Sequence, residues 1–394
     1  MKKGCMKSNK RRKIAKSYPR IPSDNLLDII SRLPAKSLYR FKCVSKEWCS
    51  LIQDQNFVDF YSDCRRKQHN EAHSIRLLGR LCSEYYFYFI DHNGKTSEIL
   101  LSFNGASSFT DPLVPACNGL FCYLGDCYNG DFPNLVVWNP IASEYKILPK
   151  PDFLHPITNP CSLIKLGFGF DIVSRKYKLV GCHAYSPWHV QVLTLGDTEW
   201  RTIKGGCIDK VDFRDKIIHV NGALYWLSTK RFHPNREIVR GDPCKITSFN
   251  LAEEQFGEVL VPDDAMGFVN LGHWLCDLEG CLCLIGYDNK MLDLWVLKTN
   301  NKQQQWVNTR ITLPFEMSLK LLDTAIPIQH GEILVQSKQI FYLCRYDQEG
   351  NMLKTIELEG LPKFMLVVGK YEDYMVTLRD IFGNSDGAIL KLSW

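Results

Sequence analysis

His219-Val220-Asn221-Gly222-Ala223-Leu224-Tyr225 puts a glycine directly ahead of an apolar run, and the arrangement recurs along the chain. Its other copies are Cys117-Asn118-Gly119-Leu120, Leu166-Gly167-Phe168-Gly169-Phe170, Asp277-Leu278-Glu279-Gly280-Cys281-Leu282 and Gln329-His330-Gly331-Glu332-Ile333. From Gly119 through Gly169, Gly222, Gly280 and Gly331 the intervals are 50, 53, 58 and 51 residues. Glycine suits a place where another backbone approaches closely or φ turns positive. A period near 50 residues is that of repeats built from one small sheet each.

Outward from these copies, the chain from Ser74 onward alternates short runs rich in Val, Ile, Tyr, Phe and Trp with turn residues, and helical periodicity largely disappears. Such strand density over about 320 residues implies several packed sheets in a closed repeat array, a kelch-like β-propeller with four strands per blade. Trp138, Trp200, Trp295 and Trp306 fall in the later strands of their units, where a large aromatic can wedge neighbouring sheets together. Five units do not close a ring. Residues 75–103 and 364–394 together supply about one more blade, so about six are expected, with closure shared between the two ends. That closure removes the open strand edges that invite aggregation.

Ahead of the repeats lies a different texture. In residues 21–52, Leu26, Leu27, Ile30 and Leu33 recur at helical spacing behind the N-cap residues Ser23 and Asp24, and Pro34 stops the helix. Leu38, Phe41 and Val44 mark a second helix. Ser45 is placed to cap a third carrying Trp48, Leu51 and Ile52. So small a helical module rarely stabilises itself, and a partner surface is expected to complete its core. The organisation expected is a basic disordered tail over 1–19, a three-helix module over 20–61, a linker over 62–73 and the propeller over 74–394: α first, then all-β.

The net charge of +5 conceals an asymmetry. Residues 1–20 hold nine Lys or Arg and no acid, which leaves the rest at −4. Lys10, Arg11, Arg12 and Lys13 form a cluster of the nuclear-import or polyanion-binding kind. No run approaches the 18 to 20 apolar residues of a membrane span, and the N-terminus has no secretory h-region. Sixteen cysteines then point to reduced thiols and a location in the nucleus, the cytoplasm or both.

Catalytic and metal sets were sought and set aside. Cys117, Cys122 and Cys127, or Cys276, Cys281 and Cys283, lack the doubled Cys pair of a zinc site. There is no phosphate loop or His-Glu-x-x-His. Asp263-Asp264 and Glu253-Glu254 read as solvated turn charges. No catalytic residue, metal or cofactor is expected. Specificity is expected in loops. Trp188 and His189, in the run Tyr185-Ser186-Pro187-Trp188-His189, and Arg231, His233 and Arg236 in the stretch 229–243 are the candidate substrate-binding residues.

Ile21-Pro22, Leu33-Pro34 and Val44-Ser45-Lys46-Glu47-Trp48 resemble the motifs of an F-box. Asn118-Gly119-Leu120, Val137-Trp138-Asn139-Pro140, Gly167-Phe168-Gly169-Phe170-Asp171, Tyr177-Lys178-Leu179-Val180, Asn221-Gly222-Ala223-Leu224-Tyr225-Trp226-Leu227, Phe249-Asn250-Leu251 and Leu294-Trp295-Val296-Leu297 resemble, in order, the F-box-associated region of the large plant F-box family. The resemblance implies a non-catalytic substrate receptor of a Skp–cullin–F-box ubiquitin ligase, its F-box on the Skp adaptor and its propeller on a protein substrate. It maps the adaptor contacts to Pro22, Leu26, Leu27, Ile30, Leu33, Pro34, Leu38, Phe41, Val44 and Trp48. The alternative is a carbohydrate- or small-molecule-binding propeller without a ligase role. Neither membrane nor nucleic acid is an expected partner.

Overall fold

The computed structural model describes residues 23–33, 35–54, 56–58, 60–61, 64, 75–81, 84–90, 95–101, 113–124, 135–140, 142, 144–152, 164–183, 186–204, 208, 217–228, 245–265, 273–288, 290–300, 303–316, 324–362, 366–370, 375–383 and 389–391. The basic tail and the candidates Pro22, Pro34, Arg231, His233 and Arg236 lie outside them. The chain divides into two compact units, Met1–Lys67 and Gln68–Trp394.

The first unit is helical: α1 (Ser23–Ser31), α2 (Ala35–Phe41) and α3 (Lys46–Gln53). Ser45 caps α3 as its sequence implies, its hydroxyl accepting the Trp48 N–H at 3.2 Å. Residues 56–58 and 60–61 are helical too, and they matter to the core. Phe57 and Tyr61 are buried with Ile30, Ala35, Leu38 and Ile52. The Tyr61 hydroxyl donates to the Leu33 carbonyl at 3.0 Å, which ties the last helical residues back to the end of α1.

The second unit is a β-propeller of antiparallel sheets. β1 (Ile75–Leu81), β2 (Glu84–Ile90) and β3 (Thr96–Leu101) begin one sheet. β4 (Leu113–Cys117), β5 (Leu120–Leu124), β6 (Leu135–Asn139) and β7 (Glu144–Ile147) form the next. β8 (Ile164–Asp171), β9 (Lys176–His183), β10 (Ser186–Thr194) and β11 (Arg201–Thr202) follow. Then come β12 (Ile218–Val220), β13 (Ala223–Ser228), β14 (Lys245–Asn250) and β15 (Gln255–Val259). β16 (His273–Leu278), β17 (Cys281–Asp288), β18 (Met291–Asn300) and β19 (Gln303–Thr312) make another. β20 (Thr324–Gln329), β21 (Glu332–Ser337), β22 (Ile340–Tyr346) and β23 (Met352–Glu357) complete the run. Five sheets are thus built from consecutive strands, and one is assembled from both ends, because β24 (Leu366–Lys370) returns to pair with β1. The chain then forms α4 (Leu378–Phe382) and β25 (Leu390–Lys391), a fifth strand outside β7. The innermost strands β4, β8, β12, β16, β20 and β24 touch in that order, and β24 meets β4, so the ring is closed.

The glycines that mark the repeat do two different jobs. Asn118-Gly119, Asn221-Gly222 and Glu279-Gly280 are two-residue hairpins with both φ positive, at 48° and 74°, 45° and 78°, and 52° and 77°. They join the first two strands of their sheets by the primed turns that suit strand twist. Gly331 has φ 82° in the equivalent place. Gly169 does not share that position, which corrects the sequence reading: it lies inside β8. A Cβ there would stand 2.6 Å from both His219 Cδ2 and Leu251 Cδ1, so β8 is held flush against the next sheet. The matching hairpin runs instead through 172–175, with Arg175 at φ 57°.

Apolar clusters fill the spaces between successive sheets. Trp295 is buried between the fourth and fifth sheets in chain order. Trp200 and Trp306 use their indole N–H groups as struts, donating at 2.8 Å to the carbonyls of Pro149 and Leu260 on the neighbouring unit. The expected wedging by strand tryptophans is therefore seen at these three.

Candidate interaction surfaces

In the helical unit the mapped residues separate into two layers. Ile30 and Leu38 are 1% and 0% exposed and belong to the module's own core. Leu26, Leu27, Leu33, Phe41 and Trp48 are half-buried, and Phe41 meets Trp48 edge-on with ring centroids 5.4 Å apart. Val44, in the turn between α2 and α3, is 66% exposed. Two exposed apolar residues escaped the sequence reading: Ile29 at 51%, beside buried Ile30 on α1, and Phe60 at 43%. Helical periodicity gave Ile29 no signal, because it is one residue away from the buried stripe. Arg40 and Lys46 are exposed and Lys42 is half-buried, its Nζ 5.1 Å above the Tyr39 ring.

In the propeller, Trp188 and His189 lie on β10, not in a loop. The pairing of β10 with β9 slips between Ser186 and Gln191, and this irregular stretch carries Trp188 at 66% exposure. A bulge of this kind re-aims side chains that a regular ladder would turn inward. Gln191 is buried, its amide donating to Asp152 Oδ2 at 3.0 Å and its carbonyl accepting the Asp152 N–H at 3.0 Å.

Among the described residues, one charge cluster joins two sheets with every member paired. Lys178 Nζ, nearly buried, lies 3.0 Å from Asp171 Oδ2 and 2.9 Å from Glu254 Oε1, and donates to the Leu251 carbonyl at 2.5 Å. Arg201 also binds Glu254. Glu254 is therefore a structural ion-pair partner, which corrects its reading as a solvated turn charge. Burial pushes the Asp171 carboxyl up, but hydrogen bonds from Ser174 and Lys178 outweigh it and bring the pKa down to about 2.

Cys117 and His219 form the one contact that invites a catalytic interpretation among the described residues, with Sγ 3.5 Å from Nδ1. Their ionisation runs the wrong way for an activated thiolate. Burial pushes the thiol up, Asp277 adds to the rise, and burial brings His219 down to about 4 against the opposing Phe170 carbonyl. The pair is neutral, with Cys117 buried and His219 half-buried. His219 Nε2 lies 3.2 Å from both the Phe170 carbonyl and the Gly222 N–H, donating to the first in one tautomer or accepting from the second in the other, so either way the ring joins two sheets. Among the described residues no group of three or more His, Cys, Asp or Glu is placed to hold a metal ion. Cys283 is buried within an apolar cluster, with Cys276 and Cys281 packed against it.

Two family descriptions match the chain in succession. The F-box domain matches residues 19–60, and the F-box associated beta propeller domain matches residues 72–380. The chain belongs to the F-box-associated β-propeller family. The chain is similar to the F-box protein At3g07870 of Arabidopsis thaliana, 27% identical over 88% of this chain and 90% of its own length. F-box protein At1g47340 of the same plant is 28% identical over 86% of this chain and 75% of its own. Likeness to solved structures is faint. The SapL1 lectin, solved with alpha methyl fucoside, aligns with a TM-score of 0.38 and 10% identity over 73% of this chain and 97% of its own. Kluyveromyces lactis Hsv2 aligns with a TM-score of 0.36 and 13% identity over 71% and 73%. At that level neither informs the ligand of this F-box-associated propeller.

Proposed function

We propose that this chain is a substrate-recognition subunit of a Skp–cullin–F-box ubiquitin ligase, with the F-box on a Skp-type adaptor and the propeller on a protein substrate. The observation that carries the reading is the exposed apolar set of Ile29, Val44 and Phe60 on a helical unit that matches the F-box domain. Half-buried Leu26, Leu27, Leu33, Phe41 and Trp48, with Pro22 and Pro34, are further adaptor contacts, while Ile30 and Leu38 are buried in the module's own core. Arg40 and Lys46 on its rim favour an acidic adaptor. The sheets act as about six kelch-like blades, chemistry is left to a separate ubiquitin-conjugating enzyme, and Arg231, His233 and Arg236 share substrate contact with Trp188 and His189. The location is the nucleus, the cytoplasm or both, and Lys10 to Lys13 are a cluster of the nuclear-import or polyanion-binding kind.

Co-purification with a Skp-type adaptor tests the docking. Ile29→Asp with Val44→Asp changes only exposed positions, so capture should fall at least tenfold while the far-UV spectrum stays that of the wild type. Undiminished capture by this folded variant would sink the interface. Exposed Trp188 favours a second reading, a propeller that stacks a carbohydrate or other small ligand on its indole face. Quenching of tryptophan fluorescence by a glycan panel, lost in Trp188→Ala, would support that reading instead.

A further inference from the structure

Pairing of β24 with β1 already closes the ring, yet the chain continues onto the adjoining sheet. Met375 and Leu378 are buried there. Leu378 belongs to the cluster that contains Leu135, Val137 and Leu148 of one sheet and Leu193 and Leu195 of the next, with Val376, Ile381, Phe382 and Ile389 packed against it. The polar contacts are equally specific. Buried Asn139 donates through Nδ2 to the Val376 carbonyl. Buried Glu144 accepts the Leu378 N–H at 3.3 Å on Oε2, and its Oε1 lies 3.8 Å from Arg379 Nε. Thr377 and Asp380 form a reciprocal capping box that starts α4, and Leu390 and Lys391 pair with Tyr145 and Glu144.

We infer that the C-terminal pieces Met375–Gly383 and Ile389–Lys391 are a second latch on the ring, separate from the β1–β24 pairing. The topology gives the reason. If β24 parts from β1, it is held on one side by its chain connection to β23. The latch, which begins five residues beyond Lys370, anchors its other side to the sheet of β4–β7. A strand tethered at both ends stays at high effective concentration beside β1, so reclosure outpaces opening. Release of the latch removes that tether and leaves Asn139 and Glu144 without their C-terminal partners.

Hydrogen exchange on the full-length chain, read peptide by peptide, tests this. Leu378→Ala removes the latch's buried anchor, and amides of β1 and β24 should then exchange about 10- to 100-fold faster, while β13 and β14 across the ring keep wild-type rates. Thr377→Ala removes only the cap hydroxyl and should give the same pattern at about 3- to 10-fold, which decides the matter alone if Leu378→Ala does not fold. Faster exchange confined to 375–391, with β1 and β24 unchanged, would overturn the latch. A uniform acceleration across every sheet in Thr377→Ala would overturn it too, since the segment would then be ordinary core.

Discussion

Asp171 and Lys178 face each other 3.0 Å apart, with side chains 2% and 8% exposed, so their pairing is desolvated and worth more than a surface ion pair. Asp171 also caps its own turn, its Oδ1 accepting the Val173 N–H at 2.9 Å and its Oδ2 the Ser174 hydroxyl at 2.6 Å. A carboxyl whose pKa falls from 3.8 to about 2 on folding stabilises the native state above pH 4, and that contribution is lost as the pH drops through the window from about 4 to about 2. Asp171→Asn should cost about 2 kcal/mol at pH 7, with the gap to wild type closing as the pH approaches 2. Urea midpoints at pH 7, 4 and 3 check it. A cost that stays constant with pH would mean the carboxylate's charge is not what stabilises this joint. The residue itself stood out in the sequence only as part of a family-like motif. Glu254, the other partner of Lys178, did not, because a charge in a turn carries no mark of a sheet whose lysine lies 76 residues away.

Turns are where element-scale reading succeeded and where it failed. Asn-Gly pairs announce a primed hairpin from residue type alone, and three of the glycine-marked positions are such turns or the equivalent Glu-Gly. Lys338-Gln339, which joins β21 to β22, adopts the same positive φ values, 51° and 70°, without any glycine. Nothing in those two side chains signals the turn, and the left-handed region costs each of them about 1 kcal/mol. Gln339→Gly should therefore stabilise the protein by roughly 1 kcal/mol, seen as a higher denaturant midpoint at unchanged slope. A lower midpoint would show that the Gln339 side chain contributes more than its backbone costs. Gly169 misled in the opposite direction: its spacing fits the hairpin series, but it is needed for close approach of sheets, a tertiary requirement invisible to periodicity. Trp188, directly after Pro187, reads as a loop residue. Proline is tolerated at the start of a strand beside a bulge, which is where it sits.

At the scale of the molecule, the two units differ in how their cores are secured. Among the described residues, the propeller stacks its sheets on one another through five apolar clusters and joins its two ends through β24. The helical unit has a handful of buried side chains, Ile30, Ala35, Leu38, Ile52, Phe57 and Tyr61. The sequence texture separated these two regions clearly, because period 3.6 gives way to short β-rich runs. It did not reveal that Ile30 and Leu38 are spent on the module's own core, since apolar periodicity marks burial without saying whether self or partner does the burying. Ile52→Ala tests the independence that this division implies. Ile52 is 0% exposed, and its truncation should cost about 2 to 4 kcal/mol, a large fraction of what so small a core can supply. Differential scanning calorimetry should then show the helical transition lowered or lost, with the propeller transition within a degree of wild type, because the two units have separate cores. Adaptor capture should fall with the helical transition and recover when excess adaptor stabilises the folded module by mass action. A propeller transition that moves in step with the helical one would show that the two units fold as one and that the helical unit is not a separable docking module.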